Sequence, residues 1–223
     1  MSAAPQVVLV HGLWFGAWSL APLARRLHRA GFEPRRFRYR TTAAALDQHA
    51  RDLRAFVGAA PRTPLHFVAH SLGGLVTLHM LAENPDLPAG RVVLLGSPLR
   101  GSAVARKTMR VPGGRRLLGA AQATLEAGFA GPATGLATGL AAGREIGMIA
   151  GSRGVGLGLL LGGPGGPGDG TVAVAETRAE GLADHLVLPV THTGMLFSRA
   201  VVRQAGEFLQ AGRFDHSLPQ TAP

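Results

Sequence analysis

The sequence predicts an α/β fold: a mainly parallel, twisted sheet with helices on both faces, forming a single domain over residues 1–215. Three observations predict it. Mainly apolar runs recur at 6–10, 65–69 and 92–95, the first of them β-branched, each too short for a helix and too continuous for a half-solvated strand. Stretches with helical spacing separate these runs, so strand and helix alternate as they do in parallel sheets. The first, third and fourth strands each run straight into a loop of small and polar residues, beginning His11-Gly12, His70-Ser71 and Gly96-Ser97.

Taken in order, residues 6–10 form a buried strand and 11–16 the loop that follows it. Residues 18–30 form an amphipathic helix with Leu20, Leu23 and Leu27 on one face, stopped by Gly31. The 33–39 strand carries charge and belongs nearer an edge. Thr41 or Thr42 caps a helix that runs to about Val57, with Leu46, Leu53 and Val57 facing inward. Pro61 and Pro64 end that connection before the 65–69 strand, and a helix from Leu72 stops before Pro85. The fourth strand, 91–95, leads into the loop 96–102.

There the rhythm breaks. From 103 to 142 the chain is rich in Gly and Ala, and between Arg116 and Arg144 its only charge is Glu126. Pro132 and the repeated glycines argue against a membrane span, so 103–145 reads as a cap or lid insertion over a pocket. A strand follows at 145–150, then a Gly/Pro-rich excursion over 151–168 that closes at Asp169-Gly170-Thr171-Val172. The last strand spans 185–190, the last helix about 196–209, and residues 216–223 form a frayed tail.

The chemistry starts at Ala69-His70-Ser71-Leu72-Gly73. Strand, small-residue turn and helix in that order lift a Ser hydroxyl above the sheet, which makes Ser71 the candidate nucleophile. The strict pattern G-x-S-x-G does not occur, because Ala69 holds the first Gly position. The relaxed pattern also fits 150–154 around Ser152, but too much Gly follows for a stable helix, so Ser152 reads as a loop residue. A Ser hydroxyl needs a base, and the base needs an orienting group. His192 and Asp169 both lie in loops directly after strands, and in a parallel sheet such loops gather at one edge.

Each assignment has a plainer counterpart. Asp169-Gly170 is also a good turn, and His192 is one of nine His. Asp184 is a rival acid, but it precedes the last strand and so lies at the wrong end of the sheet. His11 and His70 read as structural neighbours of the site. The backbone N–H groups of Leu72, at a helix N-terminus, and Leu13, in the first loop, are the expected donors to a developing oxyanion. Trp14, Phe15, Met195 and Leu196 adjoin these positions and read equally as an apolar substrate pocket or as core.

These segments together resemble the α/β-hydrolase family, in its small lipase and esterase branch. Val8-Leu9-Val10-His11-Gly12-Leu13 resembles the family's oxyanion strand and loop, and Ala69-His70-Ser71-Leu72-Gly73-Gly74 resembles the elbow of minimal bacterial lipases. Residues 96–102 are similar to a lipase loop written G-T-P-H-x-G-S, with Ser97 and Leu99 departing from it. The resemblance implies hydrolysis of carboxylic esters through an acyl-enzyme, on a small acyl ester or lipid substrate, without metal or cofactor. An acyltransferase, thioesterase or amidase would use the same parts.

Composition bounds the rest. Zero Cys excludes disulfides and thiolate metal sites. Met1 to Gln6 lacks a basic region and the apolar run after it is short, so no secretory signal is read and a cytoplasmic location is the expectation. The net charge of +10 comes largely from Arg, seven of them between Arg25 and Arg40. No nucleic-acid module accompanies them, so no nucleic-acid partner is expected. A non-catalytic binding or membrane-surface protein on a hydrolase scaffold is the competing class, with a peripheral contact through 25–40 or 103–142.

Overall fold

A computed structural model describes residues 4–59, 61, 64–129, 144–156, 158–159 and 162–217. Its strands are β1 (Gln6–Val10), β2 (Glu33–Phe37), β3 (Leu65–His70), β4 (Val92–Leu95), β5 (Ile146–Gly151) and β6 (Asp184–Leu188). They form one sheet in the order β2-β1-β3-β4-β5-β6, with every pair parallel. The helices are α1 (Ala21–Arg29), α2 (Leu46–Val57), α3 (Leu72–Glu83), α4 (Ala103–Arg110), α5 (Gly114–Leu118), α6 (Gln122–Ala127) and α7 (Arg199–Ala211).

Two cores follow from the alternation of side chains along buried strands. Val8, Val10, Phe67 and Ala69 face α2 and α3, and the same layer takes Ala105, Leu118 and Leu125 from the 103–127 segment. Val7, Leu9, Val68 and Val93 face α1 and α7 through Leu23, Leu27, Val201 and Phe208. Leu23 and Leu27 are fully buried, each worth about 2 kcal/mol of transfer free energy.

Several boundaries move from where the sequence puts them, each for a local reason. An α-helix beginning at residue 18 would need an N–H at Pro22, which has none; a 3-10 turn at Ala17–Leu20 comes first and α1 opens at Ala21. β2 ends at Phe37 because its partner ends opposite, at Val10. Neither Thr41 nor Thr42 caps α2. Its N-cap is Ala45, without a side-chain bond, and the Thr41 hydroxyl instead accepts the Trp14 N–H at 3.1 Å. At α7 the cap is Ser198, whose Oγ accepts the Val201 N–H, so the helix opens at Arg199. Residues 103–127 form α4 to α6; the remainder of the expected lid, 130–143, and the tail from 218 lie outside the described residues.

Candidate active site

β3 delivers Ser71 to the carboxyl edge of the sheet with φ 54° and ψ −123°. Ser71 and Trp14 are the only non-glycine residues at positive φ among the described residues. Such a conformation costs of order 1–3 kcal/mol and persists only where its surroundings enforce it. Here they do. The Ser71 N–H donates to Leu95 O at 2.9 Å, tying the turn to β4. Gly73 lets α3 start directly against β1, since a Cβ there would lie 2.5 Å from His11 O. Ser152 has no such setting; it is an ordinary loop residue whose N–H reaches Leu188 O at 2.9 Å.

Asp169 and His192, far apart in sequence, meet at the same edge. Asp169 Oδ2 accepts from His192 Nδ1 at 2.7 Å. Asp169 Oδ1 accepts the N–H groups of Thr171 and Val172 at 2.9 and 2.8 Å. The His192 N–H also donates to Asp169 O at 3.0 Å, so the two loops are joined through both side chain and backbone. Burial raises the Asp169 pKa, but His192 and the two N–H donors outweigh it and hold the carboxyl below its usual range. The proton on Nδ1 that this bond requires leaves His192 Nε2 free to act as a base. The rival Asp184 opens β6 at the opposite edge, where it accepts the Phe214 N–H at 2.8 Å and meets His216.

Two glycines make room for this pair. A Cβ at Gly96, where φ is +57°, would lie 3.0 Å from Asp169 Oδ2 and 3.2 Å from His192 Nδ1. One at Gly151 would lie 2.7 Å from Asp169 Cβ. Ser71 Oγ and His192 Nε2 share no hydrogen bond among the described residues, yet their loops adjoin. The ring of His70, next to Ser71, packs on the His192 ring with centroids 4.6 Å apart, and His70 Nε2 bonds His192 O at 3.0 Å. His70 therefore positions the residue-192 loop, a contact that no local pattern announces.

Burial, then the nearby His192, pushes His70 down to about 3, and burial with Arg91 and Arg144 pushes His66 down to about 4. Both imidazoles are neutral in the folded state at neutral pH. Their contribution to stability is fully present above the ordinary imidazole value of about 6.5 and is lost as pH falls toward these folded values. At these two imidazoles alone, unfolding near pH 5 is expected to take up about two protons, beside any taken up by His11, His49 and His185, which burial also holds below the ordinary value. Urea midpoints measured from pH 7.5 to 4.5 would show this as a steady decline, and His66→Gln is expected to remove about one proton from the slope.

The remaining sequence-derived residues divide. Leu13 follows β1 and its N–H has no partner among the described residues, while Leu72 opens α3, where first-turn N–H groups lack helical acceptors. Phe15 sets its ring edge toward His70, with centroids 6.0 Å apart, and Trp14 stands half exposed at the rim. Met195 and Leu196 do not line an open pocket. Both are fully buried in the α1–α7 core, and the Met195 methyl lies where a Cβ on Gly96 or Gly151 would intrude. His11 is structural, stacked on Tyr39 at 4.5 Å, and the Tyr39 hydroxyl donates to His11 O at 2.8 Å.

A parallel sheet of this order, with a strained Ser after its central strand and an Asp–His pair beside it, defines an α/β hydrolase layout. The model of the alpha/beta hydrolase family matches residues 7–215, and the chain belongs to that family. No curated protein matches it in sequence. Among solved structures it is similar to a metagenomic carboxyl esterase, with a TM-score of 0.68 and 20% identity over 86% of this chain and 65% of that one. A Pyrococcus furiosus esterase gives a TM-score of 0.62 at 15% identity, covering 94% of this chain and 82% of that one. A Bacillus subtilis carboxylesterase gives 0.59 at 13%, covering 95% and 85%. The chain thus spans about two thirds of the metagenomic esterase, and the likeness to all three lies in the fold.

Proposed function

We propose that the protein hydrolyses carboxylic esters of small acyl substrates through an acyl-enzyme on Ser71. The observation that carries this reading is the 2.7 Å bond between Asp169 and His192 at the edge where the strained Ser71 emerges. His192 Nε2 takes the Ser71 proton as Oγ bonds to the ester carbonyl carbon. Neither Oγ nor Nε2 is sealed from solvent, and the mechanism requires the Ser71 side chain to turn toward His192 as substrate binds. The carbonyl electrons move to oxygen, where the N–H groups of Leu13 and Leu72 stabilise the negative charge. His192 then protonates the departing alcohol oxygen as the C–O bond breaks. Water then attacks the acyl carbon, giving up a proton to His192, and as the acyl–Oγ bond breaks His192 returns that proton to Ser71 Oγ and the acid is released. Phe15 and Trp14 form the apolar side of the approach.

A fluorophosphonate probe tests the assignment directly, because it phosphonylates only an activated Ser. Peptide mapping is expected to place the adduct on Ser71. An adduct at Ser152, or none, overturns the reading.

Gly96 sets the tolerance of the Asp–His pair. Gly96→Ala is expected to cost about 1–2 kcal/mol in stability from its positive φ. Displacing Asp169 and His192 by a few tenths of an ångström is expected to lower kcat about tenfold or more with KM little changed. A kcat within twofold of the parent protein would show that the pair has slack.

A further inference from the structure

Seven large apolar side chains are exposed among the described residues, and the two most bulky, Trp14 and Trp18, fall together between β1 and α1. Trp14 and Trp18 follow β1, Leu117 follows β4, and Phe197 follows β6. The outer faces of α2 and α7 show none. Of the exposed residues, Trp14 and Trp18 share with Leu13 the segment after β1, which leaves the sheet at the same edge as Ser71 after its parallel neighbour β3.

That edge is also basic. Trp14 and Trp18, 51% and 70% exposed, border an open groove of about 800 Å³ that Arg36, Arg38 and Arg40 share. Arg38 and Arg40 are exposed and form no ion pair among the described residues. Between His11 and Leu46 the only acid is Glu33, which opens β2 at the far edge of the sheet. Trp14 is held outward at a cost. Its φ is 60°, its N–H is bound by Thr41, and its indole N–H donates to Leu117 O at 3.1 Å. An indole that only needed burial would not require a strained backbone and two bonds to keep half its surface in solvent.

We propose that this edge docks on an anionic phospholipid surface, with Trp14 and Trp18 at headgroup depth and Arg38 and Arg40 against the lipid phosphates. Indoles favour the boundary between headgroups and acyl chains, and each Arg near an anionic leaflet strengthens attachment roughly fivefold. A soluble acidic ligand would satisfy the arginines but would leave the two indoles in water; a lipid surface meets both. No helix among the described residues is long and apolar enough to cross a membrane, so the contact is peripheral. The inference concerns attachment and does not depend on the hydrolytic reading.

The test is co-sedimentation of the full chain with vesicles of phosphatidylcholine alone or mixed with phosphatidylglycerol. Partition is expected to favour the mixed vesicles at least tenfold at low salt and to weaken as salt is added. Arg38→Gln/Arg40→Gln is expected to lower it roughly 25-fold, and Trp18→Ala about fivefold or more. The same charge removed at Arg203→Gln/Arg213→Gln, on α7 and just beyond it, is expected to change it less than twofold. Thermal melts confirm that each variant folds. Ser71→Ala is expected to partition as the parent protein does, so a failure of catalysis and a failure of docking are read separately. The proposal is overturned by no partition, by equal losses from both arginine pairs, or by retention on single-stranded oligonucleotides in preference to vesicles.

Discussion

Ser71→Ala is expected to lower kcat for p-nitrophenyl esters by about 10^6-fold while leaving substrate binding nearly unchanged. The magnitude follows from the role proposed for Oγ. Without it no acyl-enzyme forms, and what remains is the rate that Leu13 and Leu72 can supply by stabilising attack by water, on the order of 10^3-fold over solution. The substitution removes one small polar atom from a side chain that is 7% exposed and makes no hydrogen bond among the described residues, so the fold is expected to persist. Hydrolysis by Ser71→Ala within tenfold of the parent rate would remove the serine mechanism outright.

Asp169→Asn is expected to lower kcat by about 10^4-fold with the site geometry intact. The Asn oxygen can still accept from Thr171 and Val172, but its amide then presents N–H toward His192 Nδ1. The imidazole must turn its lone pair to Nδ1 and carry its proton on Nε2, where it can no longer take one from Ser71. A pH profile separates this from simple unfolding. Asp169 has a depressed pKa, so its contribution to stability is present above the usual carboxylate range and is lost as pH falls through the folded value. The variant is expected to lose that acid-dependent component while its melting at neutral pH stays cooperative. Activity within tenfold of the parent would mean that another group orients His192.

The fold was legible because the strands bury both faces and are written as unbroken apolar runs, as in Val92–Leu95. The placement of Ser71, Asp169 and His192 was legible by position alone, since each follows a strand and a parallel sheet brings such loops to one edge. Local chemistry misled where a residue served a distant partner. Thr41 has the composition of a helix cap, but its hydroxyl is taken by Trp14, 27 positions earlier. Met195 and Leu196 sit next to His192 in sequence, which left pocket and core as equal readings, and the fold puts both in the α1–α7 core. His70, Gly96 and Gly151 shape the site through contacts between loops that no periodicity encodes. Gly96 was visible as the first residue of the loop after the fourth strand, whereas Gly151 was one among 32 glycines.

The turn from Asp169 to Val172 fixes its carboxylate from within: Oδ1 is held by the next residues along, and the Asp169 N–H donates to Val172 O at 3.1 Å. A carboxylate anchored this way does not inherit its place from the chain that leads up to it. The tip of that chain is open, and at Gly165 and Gly166 an added Cβ would meet nothing within 4 Å. Insertions or exchanged segments at this tip are expected to leave the bond between Asp169 and His192 undisturbed. The molecule therefore has a site where new recognition loops can be grafted, or arise by drift, without retuning the chemistry beneath them.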